Sequence, residues 1–111
     1  MIPQVRPGDF EDWLQAQSQR PLVLDVREPW EVQTASVVEQ DFDVLAIPMN
    51  EIPARLSELP QDRPIACLCH HGARSQRVAM FLEHQGYAEV ANIAGGIEAW
   101  SRERDPGVPR Y

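Results

Sequence analysis

Short apolar runs that alternate with helical patterns constrain the fold of this chain more than any other feature of its sequence. The clearest two are PLVLDV (21–26) and PIACLC (64–69), and the five runs lie near positions 5, 22, 44, 65 and 89. Continuous apolar runs of this length are typical of strands that are covered on both faces. Because strands that alternate with helices predict βα crossovers, we expect an α/β fold: a parallel sheet of about five strands with helices on both faces.

The segments between these runs space their apolar residues as helices do. A shared apolar face or a helix-forming composition marks the segments 7–17, 27–35, 50–59, 75–85 and 97–103. Gly86 is placed to end the fourth of these helices. The tail DPGVPRY (105–111) holds two prolines and a glycine, which predicts an extended arm.

Length and charge limit the class of protein. The 111 residues are enough for one domain, which we expect to span positions 1–111. No apolar run approaches the roughly 20 residues that a membrane span needs. The net charge is −7 and all ten basic residues are scattered arginines. Because nucleic acids are bound by a clustered basic face, a nucleic acid is not expected as a partner. A membrane is not expected either, because no apolar run is long enough to span one.

The N-terminal segment and the cysteines bear on the cellular compartment. Residues 1–13 hold no basic cluster followed by an apolar stretch, so they do not resemble a secretory signal. Cys67 and Cys69 are the two cysteines, and a disulfide between positions so close in sequence would brace almost nothing. We therefore expect a cytoplasmic protein with both cysteines as free thiols. The sequence does not indicate an oligomeric state.

One of these thiols lies where a predicted strand gives way to a predicted helix. Cys69 opens the segment CHHGARS (69–75), which we call the cysteine loop. A helix N-terminus presents unpaired N–H groups and about half a positive charge. If the helix begins near Ser75, the loop amides point at the sulfur and favour the thiolate, which is the nucleophilic form. Cys67 lies inside the strand and is expected to be buried and inert.

The composition of the cysteine loop supports a reactive thiol. Gly72 permits a backbone turn that is closed to other residues, Arg74 adds fixed positive charge, and Ser75 is a good helix cap. His70 and His71 have two open interpretations: their charge near neutral pH assists the thiolate and an anionic substrate, or they are solvated and have no role.

The cysteine loop resembles the C-x-x-G-x-R-S active-site loop of the rhodanese family of sulfurtransferases. Other segments similar to that family follow in the same order along nearly the whole chain: LDVRE (24–28), IPMNEIP (47–53), NIAGGIEAW (92–100) and DPGVPRY (105–111). The chain departs from the family where Ala35-Ser36-Val37 replaces a frequent Gly-His-Ile.

The resemblance implies a single-domain rhodanese fold, and we expect neither a bound cofactor nor a metal. It implies that Cys69 takes sulfane sulfur from an anionic donor such as thiosulfate and holds it as a persulfide. A thiol, a protein acceptor or cyanide then removes the sulfur, which gives ping-pong kinetics. By the same resemblance, the donor and the persulfide are held by the remaining loop residues, His70, His71, Gly72, Ala73, Arg74 and Ser75.

Three alternatives compete with this interpretation. A cysteine-based phosphatase has five residues between its cysteine and arginine, whereas this loop has four and offers less room for phosphoryl oxygens. A metal site built from Cys67, Cys69, His70 and His71 lacks the separated ligand pairs of structural zinc sites. A binding module with the same fold would not need the thiol and the arginine that this chain retains.

Smaller expectations concern residues around the loop. Asp25 and Arg27 are expected to form a structural salt bridge or a hydrogen bond to a loop, rather than to act in catalysis. Gly95 and Gly96 predict a tight turn between a strand and a helix, which could also lie close to the cysteine loop. Trp30 lies beside charged residues and is a candidate for an exposed contact.

Overall fold

The apolar runs form the strands of one parallel sheet in the computed structural model, which describes residues 1–111. The five strands are β1 (Gln4–Val5), β2 (Leu22–Asp25), β3 (Asp43–Ala46), β4 (Ile65–Leu68) and β5 (Val90–Ile93). Their order across the sheet is β1-β5-β4-β2-β3, and every neighbouring pair is parallel. The α/β class and the parallel sheet of about five strands are therefore confirmed.

Helices cover both faces of the sheet, as predicted. The α-helices are α1 (Phe10–Gln15), α2 (Pro29–Thr34), α3 (Ala73–His84) and α4 (Gly96–Glu103). Three short 3-10 helices also occur: Pro7–Asp9 directly before α1, and Met49–Glu51 and Leu56–Glu58 between β3 and β4. Helix α3 buries its apolar stripe in one core cluster, whereas α1 and α4 contribute to a second cluster on the opposite face. None of these helices combines the length and the apolar character that crossing a membrane requires.

The central strand β4 shows why both faces of the sheet are apolar. Ile65 and Cys67 belong to one core cluster, whereas Ala66 and Leu68 belong to the other, because successive side chains of a strand point to opposite faces. All four residues are buried. Each face is thus lined by alternate residues of the same run, and an unbroken apolar sequence results.

The segment 50–59 forms two 3-10 helices instead of the single helix that its spacing predicts. Pro53 has no backbone N–H to donate, so a continuous α-helical ladder is interrupted there. The apolar positions still point inward, since Ile52 and Leu59 are buried.

Helix α3 begins at Ala73, two residues before the predicted start at Ser75. Gly72 is the N-cap residue and has a left-handed φ of 109°. The predicted end at Gly86 is confirmed, since its φ is 95° and the Tyr87 amide donates to the Leu82 carbonyl at 3.0 Å. This bond and the donation from the Gly86 amide to Glu83 form the usual glycine-terminated helix end.

The tail follows the surface of the domain instead of extending away from it. Val108 is buried, and its carbonyl accepts a hydrogen bond from the Ser101 hydroxyl at 2.7 Å. The expectation of an extended arm is therefore wrong for its first half, where a turn at 106–107 allows Val108 to pack. The three residues after Val108 have no regular structure and lead Tyr111 back to the cysteine loop.

Candidate active site

The cysteine loop lies at the carboxyl end of the central strand of the sheet. Cys69 directly follows β4, and helix α3 begins four residues later at Ala73. Parallel α/β sheets bind their ligands at this edge, because the loops that follow the strands converge there. The predicted position of the thiol, between a strand and a helix N-terminus, is the position that the structure shows.

The sulfur of Cys69 has two polar neighbours. The backbone N–H of Gly72 donates to Sγ at 3.0 Å, and the Ser75 Oγ lies 3.2 Å from Sγ. The side chain is buried, with 1% of the residue exposed. The sequence predicts that several loop amides point at the sulfur. The structure shows one amide and one hydroxyl there, both at the start of α3.

Ser75 contacts the sulfur instead of capping the helix. Gly72 takes the N-cap position, so Ser75 falls in the first turn of α3. Its hydroxyl lies 2.5 Å from Oδ1 of Asn92 and 3.3 Å from the carbonyl oxygen of Gly72. A hydroxyl has one proton to donate, so a bond to the Cys69 sulfur competes with these two acceptors.

Asn92 of β5 holds the turn of the cysteine loop in place. Its amide Nδ2 donates to the carbonyl oxygen of Gly72 at 3.2 Å and to Oε1 of Gln4 at 2.9 Å. Asn92 is buried, and sequence reasoning gave it no role. The sequence does contain one signal of this role: the buried strand VANI includes a single amide side chain. A buried polar group needs hydrogen-bond partners, so Asn92 is expected to bind a neighbouring element.

Helix α4 packs its first turn against the backbone of the cysteine loop. The Ile97 amide donates to the Cys69 carbonyl at 2.9 Å, and the Glu98 amide donates to the His70 carbonyl at 3.2 Å. Gly96 has a φ of 61°, and a Cβ there would lie within 2.5 Å of the Cys69 carbonyl oxygen. The close approach that the two glycines suggested therefore occurs at Gly96.

Arg74 is paired with a carboxylate from another element. Its NH1 and NH2 groups donate to Oε1 and Oε2 of Glu31 in α2, at 2.7 and 2.9 Å. This bidentate bond to Arg74 is the main reason that the pKa of Glu31 is lowered to about 2. Glu31 is buried and ionised at neutral pH, so the positive charge of Arg74 is already balanced within the protein.

Asp25 and Arg27 form the structural salt bridge that was predicted. Both side chains are buried, and Arg27 donates to the two carboxylate oxygens at 2.8 and 2.6 Å. Arg27 also donates to the carbonyl of Ala35 at 2.7 Å and to the Tyr111 hydroxyl at 3.1 Å. The Tyr111 hydroxyl in turn donates to Glu31 at 2.7 Å, so Tyr111 links the two ion pairs.

The ring of His70, the residue that follows Cys69, is the middle member of a stack of three rings. The ring of His70 lies 4.0 Å from that of Tyr111 and 3.9 Å from that of His71, measured between centroids. Burial lowers the pKa of His70, and the neighbouring His71 lowers it further. Both effects favour the neutral imidazole of His70 over the charged form that one of the two interpretations requires.

The remaining residues that the sequence analysis singled out differ in their exposure to solvent. Cys67 is fully buried in β4, and burial raises the pKa of its thiol. Ala73 and His71 are exposed. Trp30 is 62% exposed, and its ring meets that of Tyr111 edge to face. The structure thus assembles Cys69 with loop residues, as predicted, and adds partners from α2, β5, α4 and the tail.

Comparisons with known proteins agree with this geometry. The model of the Rhodanese-like domain family matches residues 7–103. A protein of Allochromatium vinosum named sulfurtransferase is 41% identical over 87 residues, which are 78% of this chain and 78% of that protein. The Rhodanese-like/PpiC domain-containing protein 12 of Arabidopsis thaliana is 39% identical over 93 residues, which are 80% of this chain but only 30% of that longer protein.

A solved structure gives the same assignment for the fold. The crystal structure of a rhodanese-related protein from Thermoplasma volcanium superposes with a TM-score of 0.79 at 28% identity, and covers 99% of this chain and 100% of that one. The names of the relatives support sulfur transfer as the general activity. By family model, sequence identity and fold, this chain belongs to the rhodanese-like family.

Proposed function

We propose that this chain transfers sulfane sulfur through a persulfide on Cys69. The observation that carries the proposal is the position of the Cys69 sulfur, 3.0 Å from the Gly72 N–H at the start of a twelve-residue helix. Such an N-terminus favours negative charge, and so favours the thiolate and the anionic persulfide. The thiolate needs no cofactor to react with a sulfur–sulfur bond.

The proposed reaction has two balanced halves. With thiosulfate as donor, the Cys69 thiolate attacks the outer sulfur, the sulfur–sulfur bond of the donor breaks, and sulfite leaves with the bonding electron pair. An acceptor nucleophile then attacks the outer persulfide sulfur and releases the thiolate. Cyanide becomes thiocyanate in this step, and a small thiol or an acceptor protein becomes a persulfide. A reducing compartment such as the cytoplasm would keep the resting thiol available.

Access to Cys69 requires a local movement. The residue is 1% exposed, and the ring of His70, the next residue along the chain, is stacked on the ring of Tyr111. His71 is exposed, and the segment 70–71 has no regular structure. We therefore propose that this segment moves when a donor enters, and that residues 70–75 then surround the added sulfur.

Intact mass spectrometry tests the persulfide directly. After exposure to thiosulfate and removal of the excess, we expect one added sulfur atom on the wild-type chain and none on Cys69→Ser. Cys67→Ser is the matched control, because the Cys67 thiol is buried in β4 two residues before Cys69, and this variant should gain the sulfur as the wild type does. No gain on the wild type, with either thiosulfate or a polysulfide, would contradict the persulfide and favour a binding module.

The role of Arg74 is tested by changing each member of its ion pair. If Arg74 contacts the anionic donor, Arg74→Ala raises the KM for thiosulfate by about tenfold, which is the loss of one modest charged contact. Glu31→Gln removes the balancing charge but keeps the side-chain shape, so the KM should fall. Steady-state kinetics at several thiosulfate concentrations measure both values.

A different kinetic result would show that Arg74 supports the structure of the loop and does not contact the donor. In that case both substitutions lower kcat and leave the KM for thiosulfate unchanged. Arg77→Ala is the control, since Arg77 is an exposed arginine of the same helix, and its removal changes the net charge equally.

A further inference from the structure

We propose that His70 and His71 of the cysteine loop and Glu98 of α4 form a binding site for a divalent cation with the ligand preferences of zinc. One potential ligand atom of each side chain lies within 4.8 Å of those of the other two. Two imidazole nitrogens and a carboxylate oxygen are a donor set that zinc accepts, with water as the fourth ligand. This set contains the two histidines of the alternative metal site described above, and Glu98 takes the place of its cysteines.

The fold brings the third ligand to the two histidines. His70 and His71 follow Cys69, whereas Glu98 lies in the first turn of α4, 27 or more positions away. The Glu98 amide donates to the His70 carbonyl at 3.2 Å, so the backbones that carry these side chains are already fixed to each other. The backbone positions of the three ligands are therefore set before a cation binds, which reduces the entropy that binding costs.

A buried nitrogen in the cluster has no partner. The Nε2 atom of His70 is the one buried side-chain nitrogen or oxygen in the chain that makes no hydrogen bond. A polar atom that is removed from water without a partner costs free energy, and such an atom needs an explanation. A cation bound to this nitrogen supplies the missing partner.

Binding requires two local changes. The rings of His70 and His71 are stacked with an interplanar angle of 21°, so one ring must turn before both nitrogens can face one cation. His71 is exposed and is free to turn. Glu98 must also share its carboxylate, which now accepts from Arg110 at 2.9 Å. Arg110 is 57% exposed in this ion pair, and such surface pairs contribute little stability.

The cysteines are excluded from this site by their surroundings. Cys67 is fully buried in the sheet, and the Cys69 sulfur accepts from the Gly72 amide within the loop. The proposed site therefore leaves the thiol of Cys69 unligated. A cation here would instead hold the segment 70–71, whose movement gives access to Cys69; this consequence rests on the proposed function.

Calorimetric titration of the tag-free protein with ZnCl₂ tests the site. We expect one zinc ion per chain, and no binding of Mg²⁺, which prefers oxygen ligands. His71→Ala and Glu98→Gln should each weaken zinc binding by about tenfold or more, because each removes one ligand. His84→Ala is the matched control, since His84 is an exposed histidine at the end of α3, and its affinity for zinc should equal that of the wild type.

Cys69→Ser separates this site from a zinc–thiolate complex. Unchanged zinc affinity in Cys69→Ser supports the proposal, whereas loss of binding shows that the thiolate holds the metal and overturns it. Absence of zinc binding to the wild type, or equal affinity in Glu98→Gln, also overturns it. These readouts do not depend on sulfur transfer, so they remain informative if the persulfide is not found. Far-UV circular dichroism of each variant confirms that it is folded.

Discussion

Replacement of Cys69 by serine is expected to abolish the formation of thiocyanate from thiosulfate and cyanide. A serine hydroxyl is not ionised at neutral pH, so it cannot attack the donor or carry a sulfur atom between the two halves of the reaction. Its oxygen still accepts the bond from the Gly72 amide, so the fold of the loop should survive. A colorimetric thiocyanate assay measures the loss, which should reach the rate of the reaction without protein.

The paired substitution Cys67→Ser should keep most of the activity. Cys67 is buried in β4, and burial raises the pKa of its thiol, so it stays protonated and out of reach of a donor. A hydroxyl in that apolar position lowers stability somewhat, which thermal unfolding would detect separately. Equal loss of activity in both variants, with both folded, would contradict the roles given to the two cysteines.

Gly96→Ala is expected to destabilise the protein and to disturb the cysteine loop at the same time. The added Cβ would lie within 2.5 Å of the Cys69 carbonyl oxygen, and the residue has a left-handed φ of 61°. The left-handed conformation and the overpacking together should lower the free energy of unfolding by about 2–5 kcal/mol. Urea unfolding followed by tryptophan fluorescence measures the change, because Trp100 lies in the same helix.

Gly86→Ala distinguishes the two causes of that loss. Gly86 also has a positive φ, 95°, but a Cβ there would meet nothing within 4 Å. It should therefore show only the conformational cost, about 1–2 kcal/mol, and keep normal sulfur transfer. If the two glycine variants are equally stable and equally active, the contact between α4 and the loop does not position Cys69.

The local sequence was sufficient to predict the sheet and the place of the thiol. Apolar runs such as 64–69 predict buried strands because parallel strands present alternate residues to two covered faces. The change from such a run to Gly72 and then to a helical pattern locates Cys69 at a strand end. Local pattern was less reliable at the start of α3: Ser75 looked like the cap, but Gly72 adopts the left-handed turn and takes that position.

The sequence alone thus determined the α/β sheet, the place of Cys69 at a strand end and the burial of Cys67, because hydrophobic periodicity and turn chemistry act between near neighbours. Only the tertiary structure decided what surrounds the loop. Glu31 is 43 positions from Arg74, and Asn92 is 17 positions from Ser75. Such pairs depend on which strands become neighbours and on how the chain returns to the carboxyl edge of the sheet. Contacts of this kind carry no periodic signal in the sequence.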